Sequence, residues 1–299
     1  MTPPPWLWAV FTLLAAAAQT VRNAAQRELT GTLGTVGATH VRFLFGFPFA
    51  VLFLAGVLVA SARTLPELPV VFWPYVIDGA LAQILATALM LVAMGERSFV
   101  VTIAYIKTEP VQVALFGFVF LGDRLSMLMI AAILIATAGV IVMSLKPRAV
   151  AADWRAPLVG LAAAAMFAAS AIGYRGAILT LGDANFVLAA TYTVTVGLAL
   201  QTVLLSLYLA WREPGVLRAI VRAWRPSLFA GCMGAVASEF WFLAFAIATA
   251  ASVRTLALVE VLFAQAISSF VFKQKITPRE ALGIILVVAG VGLVVISNQ

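Results

Sequence analysis

Charge is scarce in this chain. Only 10% of its 299 residues are charged, while 64% are hydrophobic. A soluble domain carries roughly 25% charged residues and about 45–50% apolar ones. The surplus of apolar side chains has no soluble interior to fill, which excludes an ordinary water-soluble domain and makes lipid the expected surroundings. Cysteine is nearly absent. The single Cys232 excludes an intramolecular disulfide and a cysteine-cluster metal site, and it reads as a small packing residue. Histidine is as rare: His40 stands alone, so no multi-histidine metal site exists. There is no Walker sequence, no Gly-x-Ser-x-Gly elbow and no His-Glu-x-x-His. The chain is therefore expected to use no cofactor and no metal and to hydrolyse no ATP. Met1 to Pro5 lacks the basic opening of a secretory signal, so the first apolar stretch is expected to belong to the fold. The net charge of +7 is not a nucleic-acid footprint, because the basic residues sit in short connections between apolar spans. The anionic face of a bilayer is the better partner.

What the chain does have is a repeat. Residues 98–143 and 249–294 align without a gap at an offset of 151. Glu109 falls on Glu260, Ala138-Gly139-Val140 on Ala289-Gly290-Val291, and, upstream, Trp73 on Trp224. A span needs about 20 apolar residues. Ten candidates follow: 5–22, 36–60, 71–94, 98–120, 125–145, 156–177, 184–210, 227–248, 252–272 and 278–297. The most polar central connection, Lys146 to Arg155, divides five spans from five. The sequence therefore predicts an all-α integral membrane protein of ten transmembrane helices in two repeats, 1–145 and 156–299, joined by a 146–155 linker. Five being odd, the repeats must be inverted relative to each other.

Lysine and arginine set the expected orientation. Connections after odd-numbered spans hold fourteen of them, counting Arg22 and Arg42, and those after even-numbered spans hold three, Arg63, Arg124 and Arg175. That bias puts the odd connections in the cytoplasm and both termini outside. Arg218, Arg222 and Arg225, at helical spacing beside Trp211 and Trp224, read as a short helix resting on an anionic surface. Trp6, Trp8, Trp73, Trp154, Trp211 and Trp224 read as interfacial anchors.

Ionisable groups inside a span cost a few kcal/mol, so each needs a partner, a wet cavity or a task. The deepest are Lys107, Glu109 and Glu260. Tyr105, Glu109 and Gln112 share a helix face if the helix is regular, and that stripe is the best candidate for a cavity wall. On a regular helix Lys107 lies roughly 200° from Glu109, so the two do not both face a cavity. Glu109 and Glu260 read either as a polar pair on a translocation path or as charges neutralised by Lys107, Arg254 or Arg42. Pro110 frees a backbone carbonyl or only kinks its helix. Arg42, with His40, reads as a carboxylate site or as a headgroup contact. Gln83, Tyr174, Tyr192, Trp241 and Glu239 complete the candidate substrate-binding set, with Glu239 a cavity acid or a partner of Arg42 or Arg254. The small-residue seams Ala132/Ala136/Gly139 and Gly283/Gly290 read as packing faces of spans 5 and 10.

Several of these features resemble the drug/metabolite transporter superfamily, in particular ten-helix proteins with two EamA-type domains. They are the arginine in Thr39-His40-Val41-Arg42-Phe43, the mid-span Glu109-Pro110 followed by Gly122-Asp123, and Gly283 with Ala289-Gly290-Val291. The resemblance implies export of amino acids or similar small metabolites across a bacterial inner membrane. The leading expectation is a secondary transporter of such solutes, neutral or aromatic amino acids among them, working by alternating access with protons as a candidate coupling ion. It is not expected to be an enzyme. A monomer or weak homodimer is expected. Two other readings stay open: a sugar-phosphate or nucleotide-type exchanger, and an intramembrane lipid enzyme using Glu109 and Glu260.

Overall fold

The computed structural model describes residues 3–95, 105–144, 155–182, 185–270 and 276–298. Among the described residues the secondary structure is helical throughout, with no strand. Residues 146–154 of the linker, Trp154 among them, and residues 98–104 of the fourth span lie outside them.

The first helix, α1 (Leu7–Leu44), is two arms joined at Gly34, whose φ of 69° and ψ of 176° are not helical. Twelve residues of straight helix would span about 18 Å. Yet Gln26 donates from Nε2 to the Ala38 carbonyl at 2.9 Å. The chain therefore folds back at Gly34. A residue with a Cβ would be strained there by about 1–3 kcal/mol, which is why glycine occupies the bend. The second arm runs on through a single irregular residue, Phe45, into α2 (Gly46–Ser61). The first helix thus continues well beyond residue 22, and Arg22 and Gln26 lie inside it rather than in a connection.

The rest follows in order. These are α3 (Phe72–Gly95), α4 (Glu109–Phe116) with a π-helical turn over Gly117–Leu121, and α5 (Met127–Ser144). Then come α6 (Arg155–Leu179), α7 (Phe186–Arg212), α8 (Pro214–Arg222) and α9 (Trp224–Ile247). The chain closes with α10 (Ala250–Leu256), α11 (Val259–Phe270) and α12 (Pro278–Ser297). The last opens on a capping box: Thr277 Oγ1 accepts from the Glu280 amide, and the Glu280 carboxylate accepts from the Thr277 amide. Among the described residues seven stretches are long and apolar enough to cross a membrane, one of them the folded-back Leu7–Ser61. Leu52, Phe118, Leu207 and Ile285 are each more than half exposed, an outward apolar surface that suits lipid.

The main packing partners are α1 with α9, α3 with α6, and α5 with α12. Without a hydrophobic force between helices in lipid, close backbone approach supplies the attraction. A Cβ on Gly139 would lie 2.7 Å from the Val287 nitrogen and 2.8 Å from the Gly283 oxygen. One on Gly290 would lie 2.5 Å from the Ala136 nitrogen. The partner numbers fall as the α5 numbers rise, so α5 and α12 run antiparallel along the seam that the small residues mark. α8 is a separate short helix. Arg212 and Arg225 lie over the rings of Trp211 and Trp224, at 4.7 and 5.4 Å from their centroids. Trp6, Trp73, Trp211 and Trp224 are exposed, as anchors should be, but Trp8 is buried at 4% and belongs to the core.

Candidate functional site

Two helix breaks meet at the centre. Upstream of α4 the helix stops at Lys107-Thr108. Upstream of α11 it stops at Ala257-Leu258. At an offset of 151 these breaks are equivalent to within one residue. Short turn bonds close them: the Thr108 amide donates to the Tyr105 carbonyl, and the Glu260 amide to the Ala257 carbonyl. The Val261 amide donates to the Leu258 carbonyl at 3.1 Å. Pro110, its counterpart, has no N–H to give to Lys107. Pro110 thus begins a helix instead of kinking one.

The breaks bring four charges together, crossed between the halves. Lys107 pairs with Glu260, and Arg254 pairs with Glu109. Arg254 Nε and Glu109 Oε1 lie 3.1 Å apart but are not in line for a hydrogen bond, so this contact is electrostatic. Glu109 is the first residue of α4, and Glu260 sits in the first turn of α11. A carboxylate at a helix N-terminus gains about 0.3–1 kcal/mol from the helix dipole. Arg254 also lies over the Trp241 ring, 4.4 Å from its centroid. Trp241 donates from Nε1 to Gln19 Oε1 at 3.1 Å, which ties the cluster to α1. Gln19, Lys107, Glu109, Pro110, Arg254, Ala257, Leu258 and Glu260 line a cavity of about 20 Å³, room for one water. In this conformation the centre is closed.

The expected stripe of Tyr105, Glu109 and Gln112 does not form a wall of this cavity. The break falls between Tyr105 and Glu109, so regular helical spacing does not carry across it. For the same reason Lys107 and Glu109 line one cavity, against the 200° estimate. Tyr105 accepts a bond at its carbonyl from Thr108 Oγ1, and Gln112 reaches Thr108 Oγ1 at 3.5 Å.

A second polar cluster lies on the α1–α9 interface, next to the first. Arg22 and Arg42 are each 1% exposed, which rules out the headgroup contact for Arg42. Arg42 Nη1 donates to Thr87 Oγ1 at 3.1 Å, and Thr87 donates on to the Gln83 carbonyl. Gln201 Nε2 donates to Gln83 Oε1 at 3.1 Å. His40 Nε2 meets Ser206 Oγ at 3.0 Å. Tyr174 fills the space left by Gly79 and Gly197 and packs on Phe242. Tyr192 is half-buried against the core. Glu239 pairs with neither Arg42 nor Arg254; its Oε1 accepts from Thr191 Oγ1. Arg175, assigned by sequence to a connection, is buried in α6. It donates to the Phe245 and Ala248 carbonyls at the end of α9 and pairs with Asp123. A depression of about 690 Å³ between the 62–69 connection and Thr180–Gly182 holds none of these deep charges.

Residues 154–296 match the EamA-like transporter family. The second half of the chain is thus similar to an EamA-like transporter domain. The family belongs to the drug/metabolite transporter superfamily, and its members are transporters. No curated protein matches the chain. Among solved structures, a protein crystal structure aligns with a TM-score of 0.68 over 97% of this chain and 94% of its own, at 15% identity. That likeness concerns the fold alone. The EamA-like domain supplies Arg254, Glu260, Glu239 and Trp241, while Lys107, Glu109, Arg22 and Arg42 come from the other half.

Proposed function

We propose that the chain is a secondary transporter of amino acids or similar small metabolites, exporting them across a bacterial-type inner membrane by alternating access. The observation that carries this reading is the crossed pair of ion pairs at two matching helix breaks. Discontinuous helices with charged ends at mid-membrane are where transporters of duplicated plan hold their solute. Each pair joins one half of the chain to the other, so rocking the halves apart must exchange these contacts for others. A zwitterion can stand in for them, its ammonium on Glu109 or Glu260 and its carboxylate on an arginine. The architecture we infer has ten crossings in two inverted repeats. The fold-back at Gly34 makes two crossings of Leu7–Ser61, and the two broken segments supply one each. The antiparallel α5–α12 seam supports inversion. Proteoliposomes holding the purified protein and preloaded with unlabelled L-phenylalanine or L-alanine are expected to accumulate the labelled solute by counterflow. Accumulation no greater than in protein-free vesicles would sink the reading.

The orientation we infer has Arg218 to Arg225 in the cytoplasm and both termini outside. Removing the buried Arg22, Arg42 and Arg175 from the sequence tally leaves twelve basic residues against two, so the bias stands. A membrane-impermeant thiol reagent is expected to label Gln299→Cys, in a Cys232→Ala background, on intact cells. Labelling only after the cells are opened would reverse the orientation.

A further inference from the structure

Pairing the deep charges leaves an imbalance. Lys107 with Glu260, Arg254 with Glu109 and Arg175 with Asp123 neutralise one another. Among the described residues Arg22 and Arg42 have no acidic partner. Their contacts are neutral: Arg22 Nη2 donates to Asn23 Oδ1 at 2.6 Å, and Arg42 Nη1 to Thr87 Oγ1 at 3.1 Å. Arg42 also lies 5.2 Å from the Phe43 ring centroid. Arg22 Nε, Arg22 Nη1 and Arg42 Nε are buried and bonded to nothing. The two side chains converge on Gly234, where a Cβ would lie 3.1 Å from Arg42 Cγ and 3.4 Å from Arg22 Cδ. They repel each other, and Arg254 adds to the same positive field.

Two buried like charges with spare donors are unstable as they stand. A neutral amide and a hydroxyl cannot discharge them, and burial makes an uncompensated charge costly. A planar guanidinium offers its N–H groups as a fork that fits a carboxylate or phosphate. The glycine at position 234 makes room on α9 for the stems of both arginines, which brings the two side chains together. Resting on the transporter reading above, we propose that Arg22 and Arg42 together bind the oxyanion group, carboxylate or phosphate, of the transported solute. Arg22 lies one helical turn from Gln19, which reaches Trp241 and so the crossed ion pairs. The solute's anionic end then sits between the two arms of α1, and the rest of it extends toward Trp241 and Glu109.

The test uses purified full-length protein in neutral detergent. Thermal shifts are read with L-phenylalanine, L-glutamate and glucose 6-phosphate, and with L-phenylalaninamide, L-glutamate dimethyl ester and glucose, which lack the anion. At least one anionic probe is expected to stabilise the protein while its uncharged-end partner does not. Whether phenylalanine or glucose 6-phosphate does so separates carboxylate from phosphate. Arg22→Gln and Arg42→Gln are each expected to weaken that binding about ten- to hundredfold, the loss of a charge-assisted hydrogen bond. Arg22→Lys and Arg42→Lys keep the charge and are expected to retain part of it, which guards against misfolded glutamine variants. The proposal falls if no anionic probe shifts the protein or if the blocked partners work equally well. Counterflow of the same labelled solute separates the two readings. Transport with unchanged half-saturation in both glutamine variants overturns the anion pair and leaves the transporter. Anion binding without counterflow leaves the pair and overturns the transporter.

Discussion

Arg254→Ala is expected to destabilise the protein by about 3–5 kcal/mol, the cost of stranding one member of a buried ion pair. Glu109 would be left at the start of α4, with a side chain only 14% exposed and its nearest cation gone. The stacking of the guanidinium over Trp241 would go too. Glu109→Ala alone strands Arg254 in the same way. The double variant removes both charges and is expected to be more stable than either single one. The difference between the sum of the single effects and the double effect measures the coupling. Reversible unfolding in mixed micelles would give all four values. Strict additivity would mean that the 3.1 Å approach carries no energy and that the halves are not joined through it.

Gly290→Leu is expected to disrupt the α5–α12 seam at a cost above about 3 kcal/mol, at the upper end for overpacking. The first added carbon already lies 2.5 Å from the Ala136 nitrogen, 2.7 Å from Ala136 Cβ and 2.8 Å from the Ala132 oxygen. These neighbours are backbone or the first side-chain atom, so none can swing away. Gly292, two residues on, has nothing within 4 Å of its Cβ position. There the better helix propensity of leucine, worth nearly 1 kcal/mol over glycine, should decide the sign. Gly292→Leu is expected to be neutral or mildly stabilising. Equal melting temperatures for the two variants would show that α5 and α12 do not approach as closely as this.

The helical plan was legible because composition and span length report directly on lipid. The α5–α12 seam is legible because close helix approach demands small residues, and Ala132, Ala136 and Gly139 on one helix and Gly283 and Gly290 on the other stand at helical spacing. Where the chain breaks regularity, sequence reasoning went astray. The depth of Glu109 is legible, but its setting is not, because the break at Lys107-Thr108 changes which side chains face it. A proline at position 110 marked the place, though its counterpart Val261 lacks that mark and is broken all the same. Arg22 escapes a reading by span length because the first apolar run ends at the charge itself. Its neighbours Gln26, Leu29 and Leu33 carry on the buried face to the bend, and that stripe, followed to Gly34, was the available signal. Arg175 misled for the same reason: a charge near a span end looks like a connection until a tertiary partner, here the end of α9, shows otherwise. Pairing between distant helices, such as Lys107 with Glu260, leaves no trace in local spacing.

The central claim is that solute crosses the membrane at the crossed ion pairs. Counterflow carried by Glu109→Gln, set against Glu239→Gln at matched protein content and several pH values, tests it most directly. Glu109 holds one of the two crossed ion pairs at the helix breaks, whereas Glu239 leans on Thr191 and faces neither arginine. The account predicts that Glu109→Gln still inserts and purifies as folded protein but loses most of its counterflow, while Glu239→Gln keeps more of it. Transport and pH dependence unchanged from the parent protein in Glu109→Gln would contradict the claim.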